Sequence, residues 1–379
     1  MRILLIGEYS RLHNSLKEGL VALGHDVTLI GNGDGFKNYP VDLNISHSFQ
    51  SKFLSKLNSA IYKLTAINLA AWEIYFKTEL HSNKFKNFDV VQLINEFSIK
   101  SSPKLEIKFL KQILKHNEKL FLLSCGIDHQ CVQFMMDGKF RYSIMSPYLK
   151  DKSLYDLYQF QLQYLNTDFT KLHQFLYKNV NGVIASDMDY HLPLIGNANY
   201  LGFIPNPINS SKIDYIPMQI DGKIKIFHGV NKEAIIKKGN TFFTDALEII
   251  QNKYGDKVDI KITYDVPYKD YIKCYDDCHI LLDQIYAYDQ GYNALEAMAK
   301  GKVVFTGAEQ EWLDYYNLKE DTVAINSLPN AEYIAGKIEH LILNPESLIE
   351  ISRNARRFIE DHHRFKAISQ KYLDVWNNN

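Results

Sequence analysis

The run Asp283–Phe305, DQIYAYDQGYNALEAMAKGKVVF, holds the residues whose types and spacing point most directly to chemistry. An apolar stretch (CHILLDQI) leads into it, Gly291 turns the chain, a helix carrying Glu296 follows, and Gly301 opens onto the apolar KVVF. A strand–loop–helix–strand unit of this kind aims free backbone N–H groups and a carboxylate into one crevice, where open α/β sheets bind phosphorylated ligands. Gly291 lets the backbone approach a ligand closely or take a positive φ. Glu296, in the first turns of the helix, suits bidentate bonding to ribose hydroxyls; its other reading is a stabiliser of the helix dipole. Asp283 and Gln284 end the strand beside the same crevice.

A second cluster lies in Phe227–Gly239, FHGVNKEAIIKKG. A strand ends at Phe227, a polar loop follows, and a helix starts near Gly239. Lys232, Lys237 and Lys238 then gather ammonium groups at a helix N-terminus, a natural site for diphosphate. The alternative is an ordinary strand-to-helix loop with surface lysines.

Two alternating series of strands and helices must position these residues. The first has strands at Arg2–Ile6, Asp26–Ile30, Asp89–Ile94, Leu120–Ser124 and Gly182–Ala185, with a helix at Asn14–Leu23 ending at Gly24. The second has strands at Lys223–Phe227, Val258–Tyr264, Cys278–Ile285, Val303–Thr306 and Thr322–Ile325. Its helices are Gly239–Tyr254, Tyr268–Tyr275, Asn293–Lys300 and Ala331–Leu343, and two more helical segments, Glu346–Asp361 and Phe365–Trp376, close the chain. Alternation of this kind implies parallel sheets covered on both faces. The Pro-, Asn- and Ser-rich stretch Phe203–Tyr215 separates the two series.

At 379 residues, two domains are the default. The net charge of −1 excludes bulk nucleic-acid binding. Residues 1–205 carry 22 Lys and Arg against 18 Asp and Glu, a mildly basic balance that suits an anionic membrane surface or a phosphate-bearing acceptor, or reads simply as solvated lysines. The spacings of Cys125, Cys131, Cys274 and Cys278 fit neither a zinc site nor a small disulfide framework, so reduced thiols and a cytoplasmic location are expected. MRILLIGEYS reads as a first strand rather than a signal segment. Residues 51–86 look helical, with Phe53, Leu54, Leu57, Ile61, Tyr62, Leu64, Trp72 and Phe76 among lysines. That stripe is either core packing or an interfacial patch touching lipid at the inner membrane surface.

The loop FHGVNKEAIIKKG, the run through ALEAMAKGK and the closing RRFIEDHHRFKAISQKYLDVW together resemble the retaining, nucleotide-sugar-dependent glycosyltransferases of family 4, which have the GT-B fold. ILLIGEYS, LKEGLVALGHDVTLI, DVVQLIN, FLLSCGID and IPNPIN extend the resemblance over nearly the whole chain. It implies an α/β architecture of two Rossmann-like, doubly wound domains facing each other across a cleft. Residues 1–205 with 365–379 form the acceptor domain and 206–364 the donor domain, the closing helix crossing back to the first.

Residue by residue, the resemblance implies that Glu296 holds the donor ribose. The family's partner glutamate, with seven residues between the two, falls on Tyr288, with Asp289 adjacent as a substitute; the backbone N–H groups around Gln290 and Gly291 would equally hold the diphosphate. Lys238 matches the family's diphosphate-binding Lys, and Lys232 lies nearest the place of its Arg. The family's His-Gly-x-Asp becomes Cys125-Gly126-Ile127-Asp128, so Asp128 and His129 are the candidates for acceptor positioning or proton transfer. Glu8, Tyr9, Ser10 and Arg11 should line the cleft opposite, with Arg11 neutralising the leaving diphosphate, and Tyr264–Pro267 flank the base or form a plain loop.

The expected activity is transfer of a sugar from a UDP- or GDP-type donor to a glycan or lipid-linked acceptor hydroxyl, with retention and with neither metal nor other cofactor. Bacterial polysaccharide assembly is the setting that the analogy suggests. The competing readings are a nucleotide-sugar epimerase or phosphorylase on the same fold, and a catalytically degenerate scaffold, the latter suggested by Tyr288 and Cys125.

Overall fold

The computed structural model describes residues 1–379, the side chains of Phe36, Tyr268 and Lys269 excepted. Two all-parallel sheets organise it. The first has strands β1 (Arg2–Ile6), β2 (Asp26–Gly31), β3 (Leu43–Asn44), β4 (Val90–Leu93), β5 (Lys119–Ser124), β6 (Gly182–Ala185) and β7 (Tyr200–Phe203), in the order β3-β2-β1-β4-β5-β6-β7. The second has β8 (Ile224–Val230), β9 (Val258–Tyr264), β10 (Ile280–Leu282), β11 (Val303–Thr306) and β12 (Ile325–Asn326), in the order β12-β11-β10-β8-β9. Central strands such as β4 (VVQL) and β11 (VVFT) are buried throughout. Helices cover both of their faces, which is why they read as unbroken apolar runs.

The helices that matter below are α1 (Leu12–Ala22), α2 (Lys52–Thr65), α3 (Leu69–Leu80), α4 (Pro103–His116) and α5 (His129–Met136). Residues 51–86 are thus two helices and a short 3-10 turn rather than one stretch. The inner face of α3, with Ala70, Ala71 and Ile74, is buried, whereas α2 has no buried residue.

Three expectations shift. The strand expected at Cys278–Ile285 shortens to β10, and the one at Thr322–Ile325 moves to β12. The loop before Gly239 contains a 3-10 turn, Lys232–Ala234, and one helical turn, Ile235–Lys238. Gly239 ends that turn at φ 70° and starts the helix Asn240–Tyr254, and a Cβ there would sit 2.8 Å from Ile285 Cβ. Only glycine meets both demands without strain.

The chain passes between the sheets at two adjacent places. Ile208 N–H donates to His363 C=O (2.7 Å) and Phe365 N–H to Ile208 C=O (3.1 Å), so both passages run side by side. The last helix, Phe365–Asn378, then packs on α1 in the first domain. Gly19 leaves room for Ser369, whose hydroxyl donates to Leu16 C=O, and Trp376 Nε1–H donates to Gln92 Oε1 at 3.1 Å.

Candidate active site

The carboxyl ends of both sheets face a common cleft with two adjoining cavities. The larger, about 610 Å³, is lined by Lys238, Asp283, Gln284, Gly291, Asn293 and Glu296 from the second domain, and by Ser10, Lys37 and Tyr39 from the first. The other, about 370 Å³, shares Ser10, Lys37, Gln284, Gly291 and Tyr292 with it and extends toward Asp187, Asp189, Asn206 and Asp289. A further cavity of about 510 Å³ lies away from this cleft, beside α1 and Phe365. Its charges already pair with one another, Lys17 with Asp42 and Lys212 with Glu18.

Lys238 and Glu296 therefore share one cavity. Lys238 Nζ stands 3.9 Å from the buried Asp283 carboxylate. Asp283 also accepts from Asn293 Nδ2 (2.8 Å) and Thr306 Oγ1 (3.4 Å), so it ties the lysine to the first turn of the helix Tyr292–Lys300. Glu296 has no hydrogen-bond or ion-pair partner among the described residues. Burial raises its pKa, and the charges of Arg11, Lys300 and Lys37 oppose that rise. A half-buried carboxylate left unpaired toward open space suits a ligand with paired hydroxyl donors.

Gly291 is the N-cap of the same helix, at an ordinary φ of −74°. A Cβ added there would meet nothing within 4 Å. The backbone does not require glycine at this position; the missing side chain keeps the cavity open at a helix N-terminus. The first turn carries no acidic side chain to compete for its free N–H groups, so an anion fits there.

Two left-handed residues in succession, Ser10 (φ 49°) and Arg11 (φ 76°), make the turn after β1. Their turn separates the two side chains. Ser10 lines both cavities, its N–H donating to Asp34 and its hydroxyl accepting from Lys37 Nζ at 2.9 Å. Arg11 turns back along α1 to Glu18 (3.1 Å) and is not among the cavity-lining residues. Glu8 is buried and accepts from Asn14 N–H and Nδ2; burial pushes its carboxyl up to about 7.

Several other expected site residues stand elsewhere. Lys232 is exposed at the rim, 4.0 Å from Asp265. Gln290 is buried and its amide donates to Gly307 C=O, so its side chain holds a loop together rather than facing a ligand. Asp128 caps α5, accepting from Cys131 N–H (2.7 Å) and Ser124 Oγ (2.5 Å), and lines neither cavity. His129 is spent on Tyr164 C=O and stacks on His173, 4.4 Å between centroids. Asp128 and His129 thus sit in the wall of the first domain, directly after Cys125, Gly126 and Ile127, which line the smaller cavity. From the segment Tyr264–Pro267, Asp265, Val266 and Pro267 line the larger cavity.

Tyr288 is buried outside both cavities. Its hydroxyl accepts from Arg141 N–H (2.8 Å) across the domain boundary, and Arg141 also pairs with Glu309 and Glu311. Asp289 lies on the smaller cavity and accepts from Met188 N–H of the other domain (3.0 Å). One carboxylate oxygen each of Asp187, Asp189 and Asp289 falls within a 4.8 Å cluster. Burial, foremost, raises all three pKa values, that of Asp189 to about 7.

Sequence reasoning missed Lys37, Asn206, Asp187 and Asp189. The GNGDGFK turn after β2 and the SDMD turn after β6 were the available signals, both strand-end turns facing the cleft.

Residues 233–374 match the family model described as glycosyl transferase-like. No curated protein matches the chain. Among solved structures, HepE of Anabaena in complex with UDP-glucose is similar with a TM-score of 0.61 and 13% identity, over 100% of both chains. Sucrose-phosphate synthase of Thermosynechococcus elongatus gives 0.63 at 13% identity, over 100% of this chain and 99% of that one. A glycosyltransferase from Rickettsia africae gives 0.54 at 15%, over 99% and 97%. The shared architecture is the GT-B fold.

Proposed function

We propose that this chain, a GT-B glycosyltransferase by fold and by the family match of its C-terminal domain, moves a hexosyl group from a uridine diphosphate sugar to an acceptor hydroxyl. The observation that carries the reading is the common cavity in which the unpartnered Glu296 carboxylate, the Lys238 ammonium and the open helix N-terminus at Gly291 meet. Glu296 takes the ribose hydroxyls. Lys238 and the N–H groups of the Tyr292–Lys300 helix take the diphosphate, where negative charge grows as the sugar–phosphate bond breaks. Lys37 approaches the same space from the first domain.

The uridine donor is supported by the UDP-glucose complex of a structural relative. The smaller cavity, with Asp187, Asp189 and Asn206, is where the sugar and a glycan or lipid-linked acceptor meet. Fixed cations and dipoles supply the charge stabilisation, so no metal is invoked, and retention follows from the family resemblance. Four free cysteines fit a reducing, cytoplasmic setting. Calorimetric titration with UDP tests the reading. Wild-type protein should bind, and Glu296→Ala should lose about 1–3 kcal/mol through missing ribose hydrogen bonds. No heat of UDP binding in the wild-type protein would favour the scaffold reading.

A further inference from the structure

A helix of 14 residues in water draws most of its stability from an apolar face packed on something else. α2 has no buried residue at all. Only Leu54, Asn58 and Ile61 are partly covered; Asn58 Oδ1 accepts from Leu69 N–H (2.8 Å), and Asn58 Nδ2 donates to Asn68 Oδ1 (3.1 Å), at the start of α3. Yet α2 is strongly patterned. Phe53, Leu57 and Leu64 recur at i, i+4 and i+11, one stripe of the helix, and are 75%, 43% and 86% exposed. Lys52, Lys56 and Lys63 repeat the same spacing one position earlier, which sets a cationic stripe directly beside the apolar one. The neighbouring helix α3 adds Phe76 and Leu80, one turn apart and 59% and 81% exposed.

We propose that α2 is a docking helix that lies in the headgroup layer of an anionic membrane. Charge selects this occupant. Residues 43–72 contain three lysines and no Asp or Glu, and none of the three is ion-paired among the described residues. A second copy meeting this one would bring six lysines together with no Asp or Glu on either helix to offset them. A bilayer with anionic lipid instead accepts Phe53, Leu57 and Leu64 among its acyl chains while the lysines reach its phosphates. The helix does not span: at about 1.5 Å per residue it is too short, and no helix among the described residues is long and apolar enough to cross a membrane.

Vesicle flotation tests this. Wild-type protein should float at low salt with phosphatidylcholine vesicles containing about one third phosphatidylglycerol, stay behind with phosphatidylcholine alone, and be released by high salt. Leu57→Glu combined with Leu64→Glu should abolish flotation while circular dichroism and UDP titration stay unchanged, since neither side chain is buried. Replacing Lys52, Lys56 and Lys63 by Gln should weaken flotation by about tenfold or more. Absence of flotation at low salt, or flotation surviving the double Glu variant, overturns the proposal. So does light scattering that shows a dimer which the double Glu variant splits, because the occupant is then another copy. UDP titration of the same samples reports on the transferase reading separately.

Discussion

The guanidinium of Arg141 lies 4.9 Å over the ring centroid of Tyr288, and the backbone N–H of Arg141 donates to the Tyr288 hydroxyl at 2.8 Å. Tyr288 stands where the family resemblance places a carboxylate, and here it serves the contact between domains. Charge for that contact comes from Glu309 and Glu311, both paired with Arg141 at 2.6 Å. The residue that departs from the family pattern has thus been absorbed into a clasp across the cleft.

Arg141→Ala should loosen that clasp. Arg141 is half-exposed, but Glu309 is buried and, among the described residues, keeps Tyr142 and Asn326 as side-chain partners. The expected cost is about 1–3 kcal/mol in chemical denaturation. Small-angle scattering without ligand should show a larger radius of gyration than wild type. An unchanged radius and midpoint would show that the clasp contributes nothing to closure.

Lys238→Ala acts on the reaction more than on the fold. Losing a fixed cation at the departing diphosphate should lower kcat by about 10²–10³, and Lys238→Arg should restore part of it. Asp283 keeps Asn293 and Thr306, so the melting temperature should move little. Steady-state kinetics with a UDP-sugar decides: wild-type kcat in the Ala variant removes Lys238 from the site.

Gly291→Ala and Gly239→Ala form an opposed pair. At Gly291 the backbone accepts alanine and the methyl enters open space, so stability should hold or rise by about 0.4–1 kcal/mol while UDP binding weakens. At Gly239 the left-handed φ and the 2.8 Å approach to Ile285 should cost about 1–3 kcal/mol. Thermal melts with and without UDP separate the two effects.

The aspartate cluster should make stability fall as pH rises. Burial holds the carboxyls of Asp187, Asp189 and Asp289 above the usual range, with Asp189 at about 7. Below about pH 4 both folded and unfolded chains carry these protons. Above that, the unfolded chain releases its protons first and the folded chain retains them until its own higher pKa values are passed. The folded state then binds more protons, so its advantage declines through this window. Asp189→Asn should flatten the decline in melts recorded from about pH 4 to pH 7; an identical slope would exclude Asp189 as a contributor.

Much of the fold was legible because the central strands are buried on both sides. RILLI and KVVF read as strands without help. The two edge strands of the first sheet were not legible, although β9 at the edge of the second was: β3 has two residues paired to Ile30 and Gly31, and β7 is bent at Gly202, φ 120°. Strand pairing at an edge depends on the neighbour more than on the local pattern. At the site, Glu296, Lys238, Gly291 and Ser10 were readable from strand-end turns and share one cavity. Asp128 carries two readings, because an acidic residue just before a helix suits a cap as well as a catalyst. Lys37, Asp187 and Asp189 follow first-sheet strands in the same way, but which side chains of a turn face the cleft is set by packing that local spacing does not encode.

Because Ile368, Tyr372 and Trp376 belong to the same core as Leu16 and Leu20, the first domain is not a contiguous piece of chain. During synthesis its α1 flank stays bare until Phe365–Asn378 has been made. A fragment cut near residue 205 would leave that greasy flank uncovered.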